Sequence, residues 1–137
     1  MKGKEKKKRD KITNMRTIVL DTNFLIDVIR FKIDLDELDK LFLTPFELFT
    51  LDSVIKELEK ISKTKSQESK YAKVALELLK IKKIKILKVR ENPDKAILSL
   101  SDENIVVATN DIELRKKLKR LGIKTIYLKS KKQLDIS

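Results

Sequence analysis

Two stretches of the chain share one grammar, and it limits what the chain can fold into. Thr17-Ile18-Val19-Leu20 is an uninterrupted run of strand formers that meets Asp21. A helical pattern of Phe24, Leu25, Val28 and Ile29 begins directly behind it. Ile105-Val106-Val107-Ala108 leads in the same way through Thr109-Asn110 to Asp111 and a helical pattern closed by Gly122. Continuous apolar runs of this length suit parallel strands covered on both faces. Open sheets of that kind hold their ligands beyond the carboxyl ends of the strands, where both aspartates fall. A local explanation competes: an aspartate at a helix start caps free N–H groups and meets the positive end of the dipole, worth about 0.5–2 kcal/mol. Pattern alone leaves both explanations standing.

The elements between and around these junctions alternate in kind. Leu35, Leu38, Leu41 and Phe42 suggest a second helix, stopped before Pro45 because the residue ahead of a proline avoids the helical region. Phe46–Leu51 reads as a strand. Asp52 or Ser53 then caps a helix with Val54, Ile55, Leu58 and Ile61 on one face. Ser62–Ser69 is a polar stretch before an amphipathic helix whose stripe is Tyr71, Val74, Ala75, Leu78 and Leu79. Ile84–Val89 alternates apolar residues with lysines, as an edge strand does. Asn92-Pro93-Asp94 is a helix start, with an Asn cap and proline at the first helical position. Ile97, Leu98 and Leu100 continue that helix. Asp111–Leu121 is a helix, Thr125–Leu128 a fifth strand, and residues 131–137 a short basic tail. Strands alternating with helices predict an α/β fold, a three-layer α/β/α sandwich around a mostly parallel sheet of about five strands. No internal repeat or long linker divides it, so residues 17–130 form one domain.

Composition removes most familiar chemistries. The 137 residues contain no cysteine and no histidine, and their two glycines are Gly3 and Gly122. Disulfides, thiol nucleophiles and the commonest general base are excluded. So are a P-loop and a Gly-rich dinucleotide turn. Any metal must be held by oxygen, which favours Mg²⁺ or Mn²⁺. Thirty-three basic residues against twenty-one acidic ones give a net charge of +12, which suggests a polyanionic partner such as nucleic acid. A Lys/Glu-rich thermophile surface explains the same numbers. The first sixteen residues concentrate the imbalance, with Lys2, Lys4, Lys6, Lys7, Lys8, Arg9, Lys11 and Arg16 against Glu5 and Asp10. Such a block reads as a self-repelling arm, used for nucleic acid or without a role. No apolar run approaches the roughly 18 residues of a membrane span, and the amino terminus lacks a secretory h-region, so a cytoplasmic protein is expected.

Four acids draw attention: Asp21, Glu57, Asp94 and Asp111. Asp94 lies on the side of Ile97 and Leu98, three and four residues on. An inward carboxylate costs several kcal/mol unless it is paired, hydrogen-bonded or bound to metal. Glu57 and Glu59 flank the Val54–Ile61 stripe on opposite sides, and periodicity does not choose between them.

Asp21-Thr22-Asn23-Phe24-Leu25, Ser53-Val54-Ile55-Lys56-Glu57-Leu58, Asp94-Lys95-Ala96-Ile97 and Val107-Ala108-Thr109-Asn110-Asp111 stand in an order that resembles the PIN-domain ribonucleases over roughly residues 17–130. Thr109–Arg115 is particularly similar to the branch that includes ribosomal RNA-processing nucleases of archaea and eukaryotes. The resemblance implies that Asp21, Glu57, Asp94 and Asp111 hold Mg²⁺ or Mn²⁺, choosing Glu57 over Glu59. It makes Asn23, Thr109 and Glu113 supporting residues. Lys95 departs from the pattern, because relatives often carry a second aspartate there; this leaves the number of metals open. The implied activity is phosphodiester hydrolysis in RNA by a metal-activated water. Lys6, Lys7, Lys8, Arg9, Arg115 and Lys116 would hold phosphates. The resemblance also suggests a homodimer.

Within that reading the substrate divides between ribosomal RNA maturation and the target of a toxin restrained by a small antitoxin protein. Two other classes compete. A non-catalytic RNA-binding module is favoured by Lys95. A phosphoacceptor receiver domain is disfavoured because Thr22-Asn23 supplies no acidic pair after the first strand.

Overall fold

Arg16–Leu20 forms β1, and the sheet is laid out around it. The computed structural model describes residues 15–89, 95 and 104–137. Ile18, Val19 and Leu20 are all fully buried. Successive strand residues point to opposite faces, so both faces of β1 are covered. Thr22–Arg30 follows as α1 and Leu35–Lys40 as a 3-10 helix. Next come β2 (Phe46–Leu51), α2 (Asp52–Ser62), α3 (Glu68–Ile81) and β3 (Lys85–Leu87). The second half supplies β4 (Ile105–Ala108), α4 (Ile112–Arg120), β5 (Lys124–Lys129) and β6 (Gln133–Ile136).

The sheet order is β3-β2-β1-β4-β5-β6. Every pairing is parallel except the last, in which β6 runs against β5. The two strands read as most central, β1 and β4, are neighbours, with Leu20 level with Ala108. Both aspartates are therefore carried to one edge of the sheet. Thr50, fully buried in β2, donates its hydroxyl to the Leu20 carbonyl at 2.7 Å and braces the end of β1 from the other side. Among the described residues no helix is long and apolar enough to cross a membrane.

Several expectations need correction. The sheet has six strands rather than about five, because residues 133–136 are not a tail. Leu134 is buried and Ile136 pairs with Ile126. Arg16 begins β1 instead of ending the arm, and its guanidinium lies 5.5 Å from the centre of the Phe42 ring. The second helix is a short 3-10 turn capped by Asp34. Neither Asp52 nor Ser53 caps α2: Leu51 occupies the cap position with no side-chain bond. The Asp52 carboxylate instead accepts from the N–H groups of Ser53 and Val89, tying α2 to the segment after β3. On α3 the buried stripe is Ser69, Ala72, Ala75 and Leu79, while Val74 is 50% exposed. The helix carries apolar residues on two adjacent stripes, and the smaller side chains pack inward because α3 lies close against α1 and α2.

Candidate active site

The carboxyl edge of β1 and β4 is built by hydrogen bonds that leave little freedom. Asp21 N–H donates to the Ala108 carbonyl at 3.1 Å, extending the ladder one residue past the strand. Asp21 then caps α1, its Oδ1 accepting from Phe24 N–H at 2.9 Å. The residue is only 7% exposed. A carboxylate so placed keeps its charge through hydrogen bonds or a cation.

Asp111 caps α4 in the same manner, with Oδ1 accepting from Glu113 N–H at 3.0 Å and Leu114 N–H at 3.2 Å. These bonds fall on Oδ1, and Oδ2 accepts none from the described residues. Its own N–H donates to the hydroxyl of Thr109, which is fully buried and whose N–H bonds the Ile126 carbonyl. Capping and ligation are thus not rivals here. The capping explanation is correct for both aspartates, and at Asp111 it uses one of two oxygens.

Asn110 connects the two junctions. Its N–H donates to Asn23 Oδ1 at 3.1 Å, its Nδ2 donates to Asp27 Oδ2 at 2.9 Å, and its Oδ1 accepts from Leu128 N–H at 2.8 Å. One side chain therefore joins α1, the β4–α4 turn and β5. Asp27 was not singled out from the sequence, although it stands four residues after Asn23 and so shares its helix face. Asn110 stands in the Val107–Asp111 stretch, and its side-chain partners are too distant in sequence for local pattern to show its role.

The other expected site residues are placed as follows. Asn23 is exposed and joined to Asn110, as above. Glu113 is exposed, its Oε1 4.0 Å from Lys116 Nζ. Glu57 is exposed on α2. Asp94 and the arm residues Lys6, Lys7, Lys8 and Arg9 lie outside the described residues. Lys95 is helical and exposed. Among the described residues, no three acidic side chains come together as a metal-binding group. Asp21 and Asp111 are brought to one edge; Glu57 is not shown to join them.

Arg115 and Lys116, with Ile112, Lys119 and Ser137, line a hollow of about 240 Å³ beside α4. The Arg115 guanidinium sits 3.6 Å from the centre of the Tyr127 ring, and its buried Nε has no hydrogen-bond partner among the described residues. Cationic groups thus flank the acidic edge on the α4 side.

Comparison with known proteins agrees with this architecture. The family model described as a PIN like domain matches residues 18–131. Ribonuclease VapC4 of Methanocaldococcus jannaschii is 39% identical over 127 residues, covering 89% of this chain and 97% of that protein. The solved PIN domain endonuclease Utp24 superposes with a TM-score of 0.72 at 23% identity, over 88% of this chain and 90% of that one. This likeness extends to the mostly parallel sheet and the helices around it. The matched span contains both strand-to-acid junctions, and the chain belongs to the PIN-like domain family.

Proposed function

We propose that the protein is a Mg²⁺- or Mn²⁺-dependent endoribonuclease whose metal-binding edge centres on Asp21 and Asp111. The observation that carries this is the buried Asp21 carboxylate beside the end of β4, next to a capping aspartate with one oxygen to spare. The donor set fits the metal. Mg²⁺ is commonly held by one or two carboxylates together with waters and substrate phosphate oxygens. Asp94 and Glu57 are proposed as further carboxylates. The full-length similarity to a protein named a ribonuclease supports RNA as substrate. A divalent ion lowers the pKa of its bound water and offsets charge in the transition state. The chain's own residues do the rest. Asp21 and Asp111 orient oxygens, Asn110 and Asn23 hold the two junctions in register, and Arg115 and Lys116 bind phosphate. Thr109 and Glu113 support the second junction through its backbone.

Incubation with single-stranded and structured RNA, with Mn²⁺ or Mg²⁺ and with EDTA, tests the reading. Cleavage that survives chelation, or equal cleavage by Asp21→Asn, would sink it. A non-catalytic binding module would instead hold RNA equally with and without metal and never cut it. We propose ribosomal RNA as the substrate class, from the Thr109–Arg115 stretch and the strong positive charge. The alternative is a toxin ribonuclease held by a small antitoxin. Expression separates them: a toxin arrests growth until a small partner is supplied, whereas a processing enzyme leaves growth intact and trims precursor RNA. A homodimer is proposed on family grounds and is read by sedimentation.

A further inference from the structure

The turn joining β5 to β6 is closed by Lys132 N–H donating to the Lys129 carbonyl at 3.1 Å. Its two inner residues, Ser130 and Lys131, have φ of 54° and 57°. Those are the signs a type I′ turn requires, and such positions favour Asn and Gly because a Cβ crowds the backbone there. Lys32 and Lys83 are also left-handed, but each is a single residue following a helix. A consecutive non-glycine pair is less common. The chain keeps a lysine where glycine would relax the turn.

Lys131 reaches back over the molecule. Its Nζ lies 5.5 Å from the centre of the Phe31 ring, and the Arg30 guanidinium lies 5.1 Å from the same centre. One aromatic ring therefore gathers two cations from different elements. Neither these two nor the exposed Lys132 forms an ion pair with a described residue, whereas Lys129 approaches Asp135 at 3.8 Å. The turn stands on the functional edge: β5 is parallel to β4, and Leu128 N–H is bound by the Asn110 side chain beside Asp111. Two like charges held together and unneutralised favour an anion that bridges them.

We propose that Arg30, Phe31, Lys131 and Lys132 form a phosphate-gripping lip for single-stranded RNA, between the carboxyl end of α1 and the β5–β6 turn. It deepens and rests on the ribonuclease reading above. Phe31 acts as the post that holds the two cations in place, and Lys131 supplies the phosphate contact.

The test uses the full chain carrying Asp21→Asn, which prevents cleavage, and a fluorescent single-stranded oligouridylate in Mg²⁺, titrated over a range of salt. Lys131→Gly should leave thermal stability level or raised, since glycine accepts the left-handed backbone. It should weaken RNA binding several-fold and make the salt dependence shallower by about 0.7 in log–log slope, the loss of one phosphate contact to a single strand. Lys83→Gly, at a left-handed position that follows α3, should leave RNA binding unchanged. Phe31→Leu should weaken binding less than Lys131→Gly. Wild-type affinity and slope in Lys131→Gly overturn the lip, as does a joint loss of stability and affinity, which would make Lys131 a structural residue. If the parent protein binds no RNA, the ribonuclease reading itself fails, a separable result.

Discussion

The two strand-to-acid junctions obey one sequence rule and arrive at different physical states. At the first, Asp21 follows Leu20 without a spacer, is bonded into the β1–β4 ladder, and is almost wholly buried. At the second, Thr109 and Asn110 intervene, Asp111 is half-buried, and its position depends on side chains: the Thr109 hydroxyl and the Asn110 tether. The N–H of Asp21 is tied to a main-chain carbonyl and that of Asp111 to a side-chain hydroxyl. Rigid placement of the two acids thus comes from two sources, and they should fail differently.

The largest effect expected is on catalysis. Asn is as good a helix cap as Asp, so Asp21→Asn and Asp111→Asn each keep the cap and remove the charge. Both should fold with near-normal melting temperature and lose cleavage by more than the roughly 10–100-fold that outer-shell changes cost. Initial rates on RNA at saturating Mn²⁺ measure this. An active, stable Asp111→Asn would reduce the second junction to a capping device and break the comparison at its centre.

Asn110→Ala attacks the tether. It removes the two hydrogen bonds of the side chain, to Asp27 and from Leu128, and leaves the backbone bond to Asn23. Each lost bond is worth about 0.5–1.5 kcal/mol net, and denaturant unfolding should register a loss of that order. Half-saturation for Mn²⁺ should rise by about 10–100-fold with a smaller fall in the maximal rate, as when a supporting partner loosens a ligand. A stability loss with unchanged metal dependence would mean that the second junction does not need its tether.

Thr50→Val and Thr109→Val compare the braces. Each removes a buried hydroxyl and should cost about 1 kcal/mol. The first leaves the Leu20 carbonyl without that donor; the second frees the Asp111 N–H. Metal dependence should move more in Thr109→Val than in Thr50→Val, because the Thr109 hydroxyl bonds the backbone of Asp111 itself, whereas Thr50 bonds the strand one residue before Asp21.

Much of this was legible in the residues, and what was not has physical causes. Ile18–Leu20 of β1 and Ile105–Ala108 of β4 are uninterrupted apolar runs, and burial on both faces demands that. Gly122, at φ 76°, marks the end of α4 because a left-handed position there favours it. β6 escaped because Gln133-Leu134-Asp135-Ile136 is short, half polar and follows four residues of turn and lysine. The inward stripe of α3 could not be chosen from pattern, since Val74 and Leu78 are as apolar as Ala72 and Ala75; small size, needed for close helix packing, decided it. Glu57 is the sharper lesson. Periodicity could not separate it from Glu59, and both are exposed. The family resemblance prefers Glu57, on chemistry that local packing does not reveal. The Asn110 tether is long-range, bridging residues 83 and 87 positions apart in sequence, and no local periodicity encodes such a bond.

The smallest effect expected lies away from both junctions and tests whether they respond independently of the fold. Lys82, at the end of α3, places Nζ 2.8 Å from Asp36 Oδ1 in the 3-10 helix. The hydrogen bond to Asp36, and then its charge, raise the Lys82 pKa above the ordinary 10.5. The contact favours the protonated lysine. Its contribution is therefore complete below pH 10.5 and fades as pH climbs through the raised value. Both groups are solvent-accessible, so the contribution is small and screened by salt. Lys82→Met should unfold at slightly lower denaturant than the parent at neutral pH. That gap should close above pH 10.5, while RNA cleavage at neutral pH is the same for both. A gap that persists in strong alkali would assign Lys82 to packing instead of charge. A change in cleavage would mean that the acidic edge senses the opposite end of the molecule, and that the two junctions cannot be treated as locally built.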